Sequence, residues 1–501
     1  MGRQIGIIEG FEASLPEGAI AGLRASPGVH SVTPNGRVRL LAQVDGYDPN
    51  WTTPTGSWKR VVENIKAKDL WKSGYRGQGV GVALIDSGVV PVEGLKGQVV
   101  NGPDLSFESQ AENLRYLDTY GHGTHMAGII AGRDSSIGEG QEDEQLDKAF
   151  VGIAPRARVV SVKVATSSGA TDVSQVIAAI DWVVQHKNDN GLNIRVLNLS
   201  FGTDGTQSYL LDPLAYAAEV AWRQGIVVVV SAGNSSFGSN RLNNPAVDPF
   251  VIAVGADDTL GTNDPKDDLV PSWSARGDAT RGPDLVAPGK SVVSLRTVGS
   301  RLDQRYPDAR VGTTRFFKGS GTSQAAAVVS GGAALLLSQR PGLTPDQVKY
   351  LLKSTAVQLP NADLRGQGAG LINLKAARDA ATPLAALAAQ PFASSTGTGS
   401  LELARGSVHV VDDNGVELRG EMDIFGTTFE SGSWATGALA GNTWSGGTWN
   451  GNTWSGNTWS GNTWSGNTWS GNTWSGNTWS GNTWSGNTWS GNTWSGAGWG
   501  D

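Results

Sequence analysis

Three residues of this chain could together make a hydroxyl attack a carbonyl carbon. Asp86 closes the apolar run 80–85, His122 lies in Gly121-His122-Gly123-Thr124-His125, and Ser323 ends Gly319-Ser320-Gly321-Thr322-Ser323. A hydroxyl is a weak nucleophile at neutral pH, so it needs a base within hydrogen-bond reach and a third group to orient that base. Asp, His and Ser in Gly-bounded motifs are those three parts. A fourth, Asn234 in Ser231-Ala232-Gly233-Asn234, follows the apolar run 226–230. Its amide could donate to the oxyanion of a tetrahedral intermediate, beside the backbone N–H of Ser323. Taken singly, these residues read as a turn Asp, a helix-capping Ser and a turn Asn. Together, in one consistent order, they predict acyl transfer through a serine nucleophile.

Other chemistries fit poorly. The chain has no Cys, which excludes a thiol nucleophile, a disulfide framework and thiolate zinc sites. His122 and His125 lack the glutamate and the i+4 spacing of a helical zinc motif, so His125 is expected to be a structural neighbour and no metal ligand is assigned. The acidic loop 139–147 has no ordered ligand spacing and reads as a solvated insertion. A formal charge of −7 argues against a nucleic-acid partner. The apolar stretch 325–337 is too short for a transmembrane segment and is interrupted by Gly331-Gly332, which suits a buried helix.

The elements that must position these residues can be read from the apolar pattern. Runs at 79–85, 158–164, 194–199, 226–230 and 251–254 are nearly continuous in Val, Ile and Leu, as strands buried on both faces should be. Between them, Asp172 caps a helix with apolar residues at 173, 176, 177, 180, 183 and 184, and Asp212-Pro213 opens another that Gly225 ends. Alternating strands and helices predict an α/β fold with a doubly wound, mostly parallel sheet, helices on both faces and a site at the strands' carboxyl ends. Asp86, Ser200 and Asn234 all follow such strands.

Residues 65–375 resemble the catalytic domain of the subtilisin-like serine proteases, the subtilases. The likeness rests on 83–88, 122–128, Gly152-Ile153-Ala154-Pro155, 231–234, 251–255, Ala287-Pro288-Gly289 and Gly321-Thr322-Ser323. The chain order Asp…His…Ser is that of subtilisin. The resemblance implies a serine endopeptidase with protein or peptide substrates. In it Asp86 orients, His122 is base and then acid, Ser323 attacks and Asn234 stabilises the oxyanion. Ser200-Phe201-Gly202 matches the backbone strip that borders the primary specificity pocket. The chemistry implies no cofactor; structural calcium, which family members often carry, is assigned to no residue. Gln324-Ala325-Ala326-Ala327 departs from the family's usual Met, Ala, small residue and Pro after the nucleophile, which bears on local packing.

Four regions are expected: 1–45, 46–380, 381–433 and 434–501. The first reads as strand, helix, strand (5–13, 17–24, 29–32); it is either a decoration or, by resemblance, the second half of a propeptide that inhibits its own enzyme. No signal peptide precedes it, so a truncated start is expected for a zymogen that acts outside the cell or at its surface. Region 381–433 is rich in Ala, Ser, Thr and Gly and reads as a linker, with a hairpin signal at Asp413-Asn414-Gly415. Beyond it the pentapeptide Gly-Asn-Thr-Trp-Ser places a Trp every five residues from Trp444 to Trp499, 12 of the chain's 19. That tail is either a low-complexity spacer or a Trp-lined surface for glycans or cell wall. A catalytically idle protein that binds through this array is the rival from another class.

Overall fold

The computed structural model describes residues 56–111, 113–234, 241–312, 315–410, 416–423 and 428–439, with five two-residue strands at Gln4–Ile5, Gly10–Phe11, Thr448–Trp449, Asn452–Thr453 and Gly498–Trp499. Two compact units are formed, Met1–Ala42 and Gln43–Asp501. In the first, Gln4–Ile5 pairs antiparallel with Gly10–Phe11, in place of one expected strand over 5–13. Gly6 and Gly10 interrupt that apolar run; the expected helix and later strand lie outside the described residues.

The second unit is built on seven strands, β1 (Gly81–Asp86), β2 (Val99–Asp104), β3 (Arg158–Lys163), β4 (Ile194–Leu199), β5 (Val227–Ser231), β6 (Ile252–Asp257) and β7 (Leu285–Pro288). Their order is β2-β3-β1-β4-β5-β6-β7, and every pairing is parallel. β1 and β5 to β7 are buried at every position. Alternate side chains of a strand point to opposite faces, so both faces of the sheet are covered.

The covering helices include α1 (Trp58–Asn64), α2 (Ala67–Lys72), α3 (Gly123–Ala131), α4 (Val173–His186), α5 (Pro213–Arg223), α6 (Thr322–Gln339) and α7 (Pro345–Ser354). Asp172 caps α4 in a reciprocal capping box with Gln175, and Asp212 caps α5 ahead of its first-turn proline. α6 is buried from Thr322 to Leu337 and packs across β4, β5 and β6 and against α3. Its burial all round explains why it is apolar without a polar stripe. A smaller antiparallel sheet, β8 (Val292–Leu295), β9 (Arg310–Val311) and β10 (Phe316–Ser320), leads into α6, and Gly498–Trp499 pairs with Gly319–Ser320 of β10.

The stretch expected as a linker is instead packed. It forms α8 (Leu401–Arg405) and continues into α9 (Ser431–Leu439), and Leu401, Ala404, Arg405, Val410 and Leu418 are buried. Its Ala and Leu residues fill gaps on α4 and α5. The boundary expected at 434 falls inside α9, where Trp434 packs edge-on against Tyr216 at 5.5 Å. The hairpin signal at Asp413-Asn414-Gly415 lies outside the described residues; Leu418 N donates to Val410 O (2.9 Å). Among the described residues no helix is long and apolar enough to cross a membrane.

Candidate active site

Asp86 is the last residue of β1, an interior strand flanked by β3 and β4, so its carboxylate leaves the sheet at the carboxyl edge. His122 is the residue before α3, whose first turn packs against the segment after β1. Gly123 makes that approach feasible, since a Cβ there would stand 2.1 Å from Gly88 O. Both oxygens of Asp86 then face His122 Nδ1, at 2.8 and 2.9 Å, with the two side chains almost wholly buried. A carboxylate can only accept, so Nδ1 carries the proton and Nε2 is left as the basic nitrogen.

A buried network holds this pair. Ser87 N donates to Asp86 Oδ1 (2.8 Å), and Gly123 N donates to Ser87 Oγ (3.0 Å). Asp118 receives Gly121 N, Thr124 N and the Ser87 hydroxyl at 2.6–2.8 Å. Burial pushes the Asp118 carboxyl above its ordinary range, and the N–H donors of Thr124 and Gly121 pull it back. Ser87 was visible only as part of the Asp-Ser-Gly motif. Asp118 gives no signal in sequence, because its local partners are backbone N–H groups and its side-chain partner Ser87 meets it only through the fold.

Ser323 stands in the first turn of α6, packed beside α3. Its hydroxyl donates to Ser200 O in a long contact, at 3.5 Å. Ser200 Oγ donates to Ser323 O (3.4 Å) and receives Asn198 Nδ2 (3.0 Å), while Ser330 Oγ donates to Asn198 Oδ1 (2.8 Å). The strip Ser200-Phe201-Gly202 is thereby bonded to α6; Ser200 and Phe201 are buried and Gly202 half-buried.

Asn234 follows β5, and its Oδ1 accepts from both Thr322 N (2.8 Å) and Thr322 Oγ1 (2.9 Å). Because a backbone N–H can only donate, the amide orientation is fixed. Nδ2 faces the Gly321–Ser323 turn, where a Cβ on Gly321 would lie 3.3 Å from it. Thr322 as the residue that aims Asn234 was not anticipated. Gln324, where the family usually has Met, sits beneath the same turn, with its Oε1 2.8 Å from that Gly321 Cβ position.

His125 is fully buried, and its Nε2 donates to Phe317 O (3.1 Å), so that nitrogen is a proton donor and not a ligand. Burial, helped by the neighbouring His122, pushes it down to about 3, and it stays neutral. In the acidic loop, the buried Glu142 is clamped by Arg76 and Arg156, each at 2.7 Å, and Asp147 pairs with Lys59. Among the described residues no three His, Cys, Asp or Glu side chains converge as metal ligands.

A buried His–carboxylate pair stands at the carboxyl edge of a parallel sheet, and a serine lies in the first turn of α6, which packs against α3; these are the parts expected of a serine hydrolase of α/β architecture. The subtilase family model matches residues 77–370. Serine protease AprX of Bacillus subtilis is 37% identical over 321 residues, covering 62% of this chain and 70% of that protein. Subtilisin E of the same organism is 32% identical over 384 residues, 75% and 82% of the two chains. Minor extracellular protease Epr, also from B. subtilis, is 32% identical over 316 residues, 63% of this chain and 41% of that one. A solved cold-adapted subtilisin-like serine proteinase is 30% identical, with a TM-score of 0.43 over 60% of this chain and 88% of its own. The chain belongs to the subtilase family and is a serine peptidase.

Proposed function

We propose that the chain is an endopeptidase that cleaves through an acyl-enzyme formed on Ser323. The observation that carries this is the bracketing of His122 Nδ1 by both oxygens of Asp86. It fixes the tautomer in which Nε2 is the base and stabilises the imidazolium that forms. Attack begins as the Ser323 hydroxyl turns from Ser200 O to His122 Nε2, which takes its proton while Oγ bonds the scissile carbonyl carbon. The carbonyl oxygen becomes an oxyanion between Asn234 Nδ2 and Ser323 N–H. Collapse breaks the C–N bond, and the proton on Nε2 leaves with the amine. Water then repeats the sequence and frees the acid, with no cofactor needed.

Ser200-Phe201-Gly202 would hold the substrate's main chain beside the primary pocket. Residues 1–45 act as a propeptide-like inhibitory segment, and the enzyme works outside the cell, in keeping with its likeness to a protease named as extracellular. The Trp array attaches it to glycan or cell-wall material. Ser323→Ala should fold with an unchanged circular dichroism spectrum, take up no fluorophosphonate, and keep only the residual activity that substrate binding and the oxyanion site provide. Full peptidase activity in that variant would end this proposal.

A further inference from the structure

Two segments leave the sheet on either side of β1 and so flank Asp86. One runs from β3 to α4 (164–172), and Val164 N donates to Asp86 O (2.8 Å). The other runs from β4 to α5 (200–212) and begins with the strip Ser200-Phe201-Gly202. Residues 400–407, which lie far beyond Ser323 in sequence, are bonded to both.

Toward the second segment the contacts are continuous. Thr203 Oγ1 donates to Ala404 O (2.5 Å), and Ser407 N and its hydroxyl donate to the two oxygens of Asp204. Ser400 N donates to Gln207 Oε1 (2.8 Å), and Gln207 Nε2 returns a bond to Ser400 O (3.1 Å). The backbones touch, since a Cβ on Gly205 would stand 2.7 Å from Leu403 O. Toward the first segment a single side chain makes the bond. Arg405 Nε and Nη2 grip the two oxygens of Asp172 at 2.7 and 3.2 Å. Its remaining donors reach Gly420 O (2.7 Å), Met422 O and Glu402. Asp172 at the same time caps α4 through Ser174 N (2.9 Å).

Arg405 is 0% exposed and Asp172 2%. Burying an ion pair is a poor way to gain stability, because desolvation offsets most of the attraction. What a planar guanidinium fork supplies is a fixed geometry, which an ammonium cannot copy. We propose that residues 400–407 are a clasp that sets the spacing of the two lips of the substrate cleft. Arg405 is its pin, a positioning residue for the extended part of a peptide substrate. The proposal rests on Ser200–Gly202 being the strip that holds substrate. A substrate that pairs along that strip needs the lips in register; a small acyl ester, which meets only the nucleophile and the oxyanion donors, does not.

Arg405→Lys keeps the charge and loses the fork, and Asp204→Ala cuts the clasp at its exposed end, where folding is not at stake. Each would be assayed on a hexapeptide amide, on a small N-acetyl amino-acid ester, and for the rate of Ser323 labelling by a small fluorophosphonate. The expected result is a KM for the hexapeptide raised about tenfold, the effect of one or two lost hydrogen bonds, with kcat within about twofold. Ester hydrolysis and labelling should not change. Ester and peptide falling together, or neither changing in Asp204→Ala, would overturn the clasp. If Arg405→Lys does not fold, Asp204→Ala decides alone. Failure of the wild-type enzyme to label would instead overturn the serine mechanism, which is a separate result.

Discussion

At the scale of single residues, the most informative contact is the one between Thr322 and Asn234. An asparagine amide can be turned either way at little cost, yet only Nδ2 can stabilise a developing oxyanion. Two donors from Thr322 pin Oδ1 and so decide the direction. Thr322→Val keeps the backbone donor and the shape but removes the hydroxyl, which also accepts from Gly233 N (3.1 Å). With one pin left, kcat should fall about tenfold with KM nearly unchanged, a fraction of what losing an oxyanion donor costs. Steady-state kinetics on a short peptide measures this, and a change confined to KM would show that Thr322 shapes binding only. Asp86, His122, Ser323 and Asn234 could be picked out beforehand because each sits in a local motif of small residues. Thr322, Ser87 and Asp118 each act through a partner distant in sequence, 88 residues away in the Thr322–Asn234 bond. No spacing rule reports that.

At the scale of elements, the sheet and its helices follow from chemistry that is local in sequence. Runs of Val, Ile and Leu gave β1 and β3 to β6, and the Asp caps gave the starts of α4 and α5. The edge strand β2 was missed because its exposed residues and its Gly-Pro pair break the apolar pattern. β7 was missed because only four residues pair. The bond that ties this edge of the sheet to α7 is ionic. Asp284, just ahead of β7, is buried against Arg281 (2.7 Å), Lys353 (2.9 Å) and Lys349 (3.3 Å). Burial alone would raise its carboxyl, but Arg281, Lys349 and Lys353 outweigh that and hold it well below the carboxylate range. A depressed pKa in the folded state contributes stability above the unfolded value of about 3.9, and that stability is lost as pH falls toward the folded value. Asp284→Asn leaves Arg281 and Lys353 facing a neutral group and takes the counter-charge from Lys349, which burial already pushes down to about 7; it should cost about 3–5 kcal/mol at pH 7. The gap between the melting curves of the two proteins should narrow progressively as pH falls below about 5. A gap that stays constant over that range would show that the loss is one of packing and not of charge.

At the scale of the whole molecule, composition misplaced the end of the catalytic unit. An Ala-, Ser- and Gly-rich stretch has the makeup of a linker, but small residues also suit a strand of chain laid closely over helices, and here they are used that way. α9 is the last piece. Tyr216 Oη donates to Ala435 O (2.9 Å), and Trp434, Ala435 and Ala438 are buried against the unit. A chain ending at 433 cuts α9 and bares Tyr216 and Phe429, at a cost comparable to removing one large aromatic, about 3–5 kcal/mol. Its melting temperature should drop by several degrees. A chain ending at 441 keeps α9, removes the repeats, and should melt with the full-length protein and keep its kcat/KM on a short peptide. It should lose retention on cell-wall material if the Trp array is the attachment surface, since aromatic faces repeated every five residues suit sugar rings. Unchanged retention would make the array a spacer. A fall in kcat/KM at unchanged melting temperature would have a definite cause. It would show that the strand Gly498–Trp499, paired with Gly319–Ser320 just ahead of Ser323, holds the Ser323 turn in its working position.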